Sequence, residues 1–445
     1  MNNSADRDYY TDNLVEVNKS NAVIASENIY NAKGALLVPK GAQIQPEVAQ
    51  RIISHKLAKP IEDSISLAKS VDGLHLPQHF SQMPTHPEVI ELFQTKLSID
   101  ILANESARLD HYPLLNQKLT VLSERFPEIY KKTVFGAYLS LLLCQERGFD
   151  DTKTHHCFIA SLARDLGLLH INPEIILETG DISGTDWRLL QGHVAISYHI
   201  LTLIPNIPEK VMTAVLEHHE RTDGFGYPRH KIEADLSEEG QVVAFADMVI
   251  ALFYKYIFGL GYSLQALVPV IQVNAGIHMH ENSQAALRLF KTLVKPMKQR
   301  HSQKELPQLV ARLAKCHPMI DKLFNDAVVF NSDLSDKYLN ARLRRTTQLI
   351  NALKSLLITS GLDDDLLIDW ISSLDVKNAT ESDILEVEKY ALMLNEAIWK
   401  VGELLKKFVV VLQELKISEE ERSKYAAEFS LLNALFNKLK KTMAN

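Results

Sequence analysis

The sequence predicts a mainly α protein with a small α/β module at its N-terminus and a helical bundle at its C-terminus. Three observations lead there. Gly and Pro supply only 17 and 16 of the 445 residues, too few for a loop-rich β protein. Apolar residues recur at helical spacing through the middle of the chain, as in Leu114, Leu119 and Leu122 or Val134, Tyr138, Leu141 and Leu142. Near the C-terminus the run Ile384, Val387, Ala391, Leu394, Ile398, Val401, Leu405, Phe408, Leu412, Leu415 alternates spacings of three and four without a break, which is an a/d seam.

Taken in order, residues 1–70 hold two short apolar runs, Ala22–Ile24 and Ala35–Val38. Asn31-Ala32-Lys33-Gly34 between them predicts a turn, and Pro46–His55 a short helix. This is a β-hairpin-plus-helix module. Residues 71–87, with Gly73 and several prolines, read as a linker. Residues 88–300 form a helical domain punctuated by Arg147-Gly148, Asn172-Pro173, Gly180–Gly184, Ile204–Pro208 and Asp223–Pro228. Residues 301–445 form the bundle, whose long seam is followed by a capping box at Ser418-Glu419-Glu420-Glu421 and a second stripe, Tyr425, Phe429, Leu432, Phe436, Leu439, Met443. Such stripes serve either an intramolecular core or self-association, so the C-terminal helices are where a protein partner or a second copy is expected.

The formal charge of −7 argues against general nucleic-acid binding through phosphate contacts. The polar start, Met1–Asn13, is unlike a secretory signal, and no apolar stretch is long enough to cross a membrane. Cys144, Cys157 and Cys316 form neither a disulfide framework nor a zinc knuckle. A cytoplasmic protein is expected.

The sharpest local signal is His218-His219-Glu220-Arg221-Thr222-Asp223-Gly224-Phe225-Gly226-Tyr227-Pro228. Adjacent histidines face one cation only where a helix is ending, and the Gly-rich turn after them supplies backbone amides suited to a phosphate. This stretch resembles the motif of HD-GYP domains, helical metal-dependent phosphohydrolases that cleave cyclic di-GMP. The resemblance extends over about 150 residues. It covers Ala163-Arg164-Asp165-Leu166-Gly167-Leu168, Ile171-Asn172-Pro173, His193, and Val243-Ala244-Phe245-Ala246-Asp247.

The resemblance implies an HD-type all-α core and one surviving metal position built from Asp165, His193, His218 and His219. Asp165 is the bridging ligand that the family shares with another position, of whose ligands only Asp165 and Asp247 remain here. Gly224, Gly226, Tyr227 and Pro228 shape the turn and the ligand site. The resemblance also identifies departures. Arg164 stands in place of the family's histidine beside Asp165, and Lys132 in place of its first histidine ligand. Leu168 replaces a lysine, and Ile250 replaces the second Asp of the last helix. The family's basic, aromatic tail gives way to Tyr254–Gly259.

A guanidinium stays protonated and cannot ligate a metal, so Arg164 is expected to occupy the place of one cation and to pair with Asp165 and Asp247. The cofactor implied is one divalent metal, Fe, Mn, Zn or Ni, or none. Three functions follow: a degenerate cyclic di-GMP phosphodiesterase acting as receptor or regulator, an active phosphodiesterase for cyclic di-GMP or another small phosphoester, or a non-catalytic interaction scaffold. Other polar residues take plainer readings. His155 and His156, beside Cys157, are expected at the surface or as caps. His170 and His199 are expected to be packing or surface residues, as are His278 and His280, whose strand-like spacing could bind metal on one face but has no third ligand nearby. Glu220 and Arg221 are expected to form a local ion pair.

Overall fold

The computed structural model describes residues 8–73, 76, 87–178, 183–291, 297–338, 341–362 and 364–444. Most of the 71–87 linker, the first residues of the polar start and part of the Gly180–Gly184 break lie outside the described residues. The fold is mainly α, and the chain divides into two compact units.

The first unit comprises residues 1–220, 227–229 and 235–250. It opens with α1 (Tyr10–Val17), β1 (Val23–Ala25), β2 (Ile29–Tyr30), β3 (Leu36–Val38), α2 (Pro46–Ile53) and β4 (Ile65–Leu67). The hairpin is β2 with β3, whereas β1 pairs antiparallel with β4, Ile24 facing Ser66. The sequence reading placed Val23–Ile24 opposite Leu36–Val38. That pairing fails because Ile29–Tyr30, directly flanking the turn, supply the strand opposite Leu36–Val38, and β1 pairs instead with β4 about forty residues on. Helix α1 was not foreseen. Its Asn13 accepts a hydrogen bond from Arg125 Nε at 2.9 Å and donates to the Leu169 carbonyl at 2.8 Å, which fastens the module to the helical core.

That core is built from α3 (Pro87–Lys96), α4 (Ile99–Arg108), α5 (Pro113–Arg125), α6 (Pro127–Arg147), α7 (Asp151–Ala163), α8 (Pro173–Leu177), α9 (Gly184–Gln191), α10 (His193–Thr202), α11 (Glu209–Glu217) and α12 (Glu238–Tyr256), the last passing into the second unit after Ile250. Prolines start α5, α6 and α8, where a missing N–H costs no helical bond. Every residue from Thr133 to Cys144 is buried, so α6 is enclosed on all sides and serves as the axis of the unit. Its neighbour α7 is capped by Asp150, which accepts from Lys153 N at 2.8 Å. The two helices are bridged in the core by the hydroxyls of Ser140 and Ser161, 2.8 Å apart.

The second unit comprises residues 221–226, 230–234 and 251–445. Its helices are α13 (Leu267–Asn274), α14 (His280–Lys291), α15 (Leu306–Lys337), α16 (Ala341–Ser360), α17 (Asp365–Ser373), α18 (Glu381–Glu414) and α19 (Glu419–Ala444). A capping box starts α18, with Thr380 and Asp383 bonding reciprocally to each other's backbone N–H. The predicted seam lies on α18, and Ile384, Val387, Leu394, Val401, Leu405 and Phe408 are all buried in one core with α15, α16, α17 and α19. The box at Ser418 is also present, Ser418 Oγ accepting from Glu421 N at 3.3 Å. The seam is thus filled from within the chain. Full burial of a side chain such as Phe408 stabilises by roughly 1.5–3 kcal/mol. Among the described residues, no helix is long and apolar enough to cross a membrane.

Candidate metal and phosphoester site

Four helix ends meet in the first unit. Arg164 caps the C-terminus of α7, Asp165 begins the 3-10 turn Leu166–His170, His193 is the first residue of α10, and His218 caps the C-terminus of α11. Asp247 projects from the middle of α12. Helix ends leave backbone groups unpaired, and the site uses them. His193 Nδ1 lies 2.5 Å from the Leu190 carbonyl, and His218 Nδ1 lies 2.6 Å from the Val215 carbonyl. A carbonyl only accepts, so both Nδ1 atoms carry a proton, and in the neutral form of each ring the lone pair is at Nε2.

Those two Nε2 atoms are 3.2 Å apart. Two lone pairs facing at that distance repel unless a cation or proton lies between them. Burial, and secondarily the neighbouring His193, pushes His218 down to about 3, so a proton on His218 is not the answer at neutral pH. His219 completes the group. One ligand atom from each of His193, His218 and His219 lies within 4.8 Å of the others. Three neutral imidazoles converging in this way fit a first-row divalent cation, and ligand type does not choose among Fe, Mn, Zn and Ni.

The carboxylates are held by Arg164. Its guanidinium is 1% exposed, and Nε lies 3.1 Å from Asp247 Oδ1 and 3.2 Å from Asp165 Oδ2. Nη1 donates to the Ser161 carbonyl at 2.6 Å, and Nη2 donates to the Lys132 carbonyl at 3.2 Å. Lys132 therefore meets Arg164 through its backbone. Burial works against ionisation of Asp165, yet the charges of Arg164, His193, His218 and Lys132 outweigh it and hold the carboxyl below its usual range. Asp247 goes the other way: burial and the neighbouring Asp165 raise it against the pull of Arg164. Asp165 Oδ1 remains 3.7 Å from His193 Nε2, and Asp247 Oδ2 lies 3.9 Å from His219 Nδ1.

Tyr227 stacks on His219 with ring centroids 4.7 Å apart, and its N–H bonds the His219 carbonyl at 3.0 Å. Trp187 of α9, 47% exposed, stands edge-on to Tyr227. Pro228 is exposed. Gly224 has a φ of +75°, which explains its identity. Gly226 is not among the described left-handed positions. Leu168 is half-buried and Ile250 buried, both apolar.

Three further expectations are corrected. Arg221 bonds Asp223, at 3.0 Å from Nε to Oδ1, while Glu220 accepts from Arg229 N at 2.6 Å, so the expected Glu220–Arg221 pair gives way to separate partners. His155 and His156 are neither surface nor cap residues. His155 lies between Glu105 at 2.7 Å and Tyr112 Oη at 3.0 Å, and His156 sits 3.5 Å from Glu239. His278 and His280 lack the strand spacing read from the sequence, since His280 starts α14.

Two residues that support the site escaped sequence reasoning. Gly136 on α6 faces the guanidinium: a Cβ there would sit 2.6 Å from Arg164 Nη1. A glycine in the middle of an apolar helix, one turn after Lys132, was the available signal. Ser197 Oγ donates to the Arg164 carbonyl at 2.8 Å and accepts from Gly167 N at 2.7 Å, clamping the turn that carries Asp165. No local pattern marks it.

Residues 100–281 match the family model described as "HD domain". A cyclic di-GMP phosphodiesterase of Thermotoga maritima is 31% identical over 137 residues, 30% of this chain and 37% of its own length. The cyclic di-GMP phosphodiesterase response regulator RpfG of Xanthomonas campestris pv. campestris is 23% identical over 141 residues, covering 32% and 37%. The 3'3'-cGAMP-specific phosphodiesterase 1 of Vibrio cholerae is 29% identical over 110 residues, 25% of each chain. The match thus spans well under half the length of these relatives. A solved structure of Bd1817, a HDG"Y"P protein from Bdellovibrio bacteriovorus, aligns with 60% of this chain and 95% of its own at 16% identity and a TM-score of 0.32.

Proposed function

This chain belongs to the HD-GYP family of HD-domain proteins, and from that premise we propose that it is a receptor or regulator in cyclic di-GMP signalling whose hydrolytic centre is reduced to one divalent metal. The observation that carries the reading is the buried Arg164 guanidinium, within 3.2 Å of both Asp165 and Asp247. By the resemblance, a second cation would sit there with a histidine at position 164 and another at 132. Arg164 supplies the positive charge those carboxylates need and offers no coordination site.

His193, His218 and His219 would hold the remaining cation, with Asp165 beside them. That cation would supply Lewis acidity toward a phosphate oxygen. Asp165 and Asp247, engaged by Arg164 through Oδ2 and Oδ1, are drawn away from metal ligation. Tyr227 keeps the His219 ring in place, and the exposed face of Trp187 next to it suits stacking by a purine base. A two-metal centre stabilises both the attacking and the leaving oxygen, so losing one cation costs several kcal/mol of barrier, at roughly tenfold in rate per 1.4 kcal/mol. Binding without appreciable turnover is the consequence. The related cyclic dinucleotide named for the Vibrio relative is the second ligand to try.

The test is metal content by mass spectrometry of chelator-free protein, with cyclic di-GMP binding and hydrolysis measured on the same sample. The reading expects His219→Ala to lose about one equivalent of metal relative to the unaltered chain, and cyclic di-GMP binding with turnover at or near background. Two equivalents lost together in that variant, or rapid hydrolysis by the unaltered chain, would sink it.

A further inference from the structure

We infer that the second unit carries a metal site of its own, formed by His317, Asp321 and Asp365 and suited to a divalent first-row cation such as zinc. His317 and Asp321 lie four residues apart on α15 and therefore on one face of it. Asp365 is the first residue of α17, where the neighbouring Asp364 already caps the helix by accepting from Leu366 N at 2.9 Å. The Asp365 carboxylate is left for another partner.

His317 Nε2 lies 3.1 Å from Asp321 Oδ2 and 3.5 Å from Asp365 Oδ1, and the three ligand atoms fall within 4.8 Å of one another. A tetrahedral cation with bonds of about 2.1 Å sets its ligands about 3.4 Å apart. The imidazole itself points to a ligand. His317 is 4% exposed, and its buried Nε2 makes no hydrogen bond although two carboxylates are within reach. The carboxylate oxygens lie close but off the line a ring N–H would need.

The other ring nitrogen is fixed. Nδ1 lies 2.5 Å from Tyr390 Oη. Burial raises the Tyr390 phenol, with Asp321 and Asp365 adding to the effect, so the hydroxyl stays neutral and can accept. Nδ1–H donating to Tyr390 leaves the Nε2 lone pair directed at the carboxylates, the tautomer a metal requires. A buried Nε2 that faces two carboxylates without a hydrogen bond to either is reconciled by a cation. Asp365 is largely exposed, which leaves the remaining coordination positions to water. Occupied, the site would tie α17 to α15.

The test uses the full chain carrying His219→Ala, so that the histidine group of the first unit does not contribute. After chelator treatment it is titrated with zinc chloride by calorimetry, and thermal unfolding is followed in parallel. The expected result is uptake of about one equivalent with a rise in Tm. Asp365→Asn, at an exposed position that leaves the core untouched, should weaken zinc at least about tenfold, and His317→Gln should abolish the uptake. Tyr390→Phe keeps all three ligands and should weaken binding by about 10–100-fold. No uptake would mean that the three side chains meet without holding a metal. Uptake unchanged by Asp365→Asn would place the zinc elsewhere. Either result overturns the site.

Discussion

A guanidinium buried to 1% exposure must have its charge answered, and Arg164 is answered by two carboxylates and by the carbonyls of Ser161 and Lys132. Removing one partner of such a buried pair costs about 3–5 kcal/mol, more than most single contacts contribute. The space for it comes from Gly136, and that makes a prediction with an unusual sign. On helix propensity alone, Gly136→Ala should stabilise α6 by about 1 kcal/mol. With its Cβ 2.6 Å from Nη1, the same change should instead destabilise by about 1–3 kcal/mol, because the guanidinium is pinned and cannot swing aside. Urea denaturation of Gly136→Ala, Arg164→His and the double variant checks this; the two changes should couple by more than about 0.5 kcal/mol. A stabilised Gly136→Ala would show that the guanidinium yields freely. The sequence already showed Arg164 beside Asp165, since the two are adjacent. It could mark Gly136, 28 positions earlier, as unusual but not show what it faces, because that contact exists only once α6 and α7 have packed.

At the scale of the element, α18 reads from sequence as an apolar seam, and its burial follows that seam closely. Glu388, Glu396 and Lys400, also buried on this helix, were not anticipated. Periodicity assigns a face to each residue but does not tell which polar residue on that face will be answered by another segment. Glu396 accepts from Lys255 Nζ at 2.9 Å, Tyr256 Oη at 2.7 Å and Asn274 Nδ2 at 3.1 Å, so one carboxylate gathers two other helices. Lys400, one turn on, is held down to about 8 by burial and by Arg221, against the opposing pull of Glu396. The unfolded chain binds a proton at this lysine up to about pH 10.4. Between about pH 8 and pH 10.4 the unfolded state therefore holds more protons, and the Lys400 contribution to stability rises with pH. It is fully present above that window and lost below it. The span corresponds to up to about 3 kcal/mol. Lys400→Met should gain about that much relative to the unaltered chain at pH 7, with the gap closing toward pH 10. Denaturant midpoints of the two proteins across this range measure it, and a gap independent of pH would mean that Lys400 is charged throughout. The small strands show the same limit: β1 and β4 were invisible as a pair because neither carries a pattern that names its partner.

For the molecule as a whole, the question is how a cation in one place alters stability in two units of separate composition. A ligand that binds only the native state adds RT ln(1 + [L]/Kd), about 2.7 kcal/mol at a hundredfold excess over Kd. The Nε2 atoms of His193 and His218 converge to 3.2 Å, where one cation can bind both, so the first unit should gain this stabilisation on loading. Three imidazoles favour Mn, Fe, Ni or Zn over the oxygen-preferring Mg and Ca. Chelator-stripped protein given manganese should accordingly gain hydrogen-exchange protection in the segments around Asp165, His193 and His218–His219, and magnesium at the same concentration should give none. The gain should vanish in His219→Ala. Protection from both ions alike, or protection that survives the substitution, would detach the effect from the imidazoles and assign it to the acidic surface of a chain with a net charge of −7. The distinction is sharp because stability is distributed: local opening near the site reports the local cation, whereas a nonspecific charge effect shifts exposed acidic segments in both units.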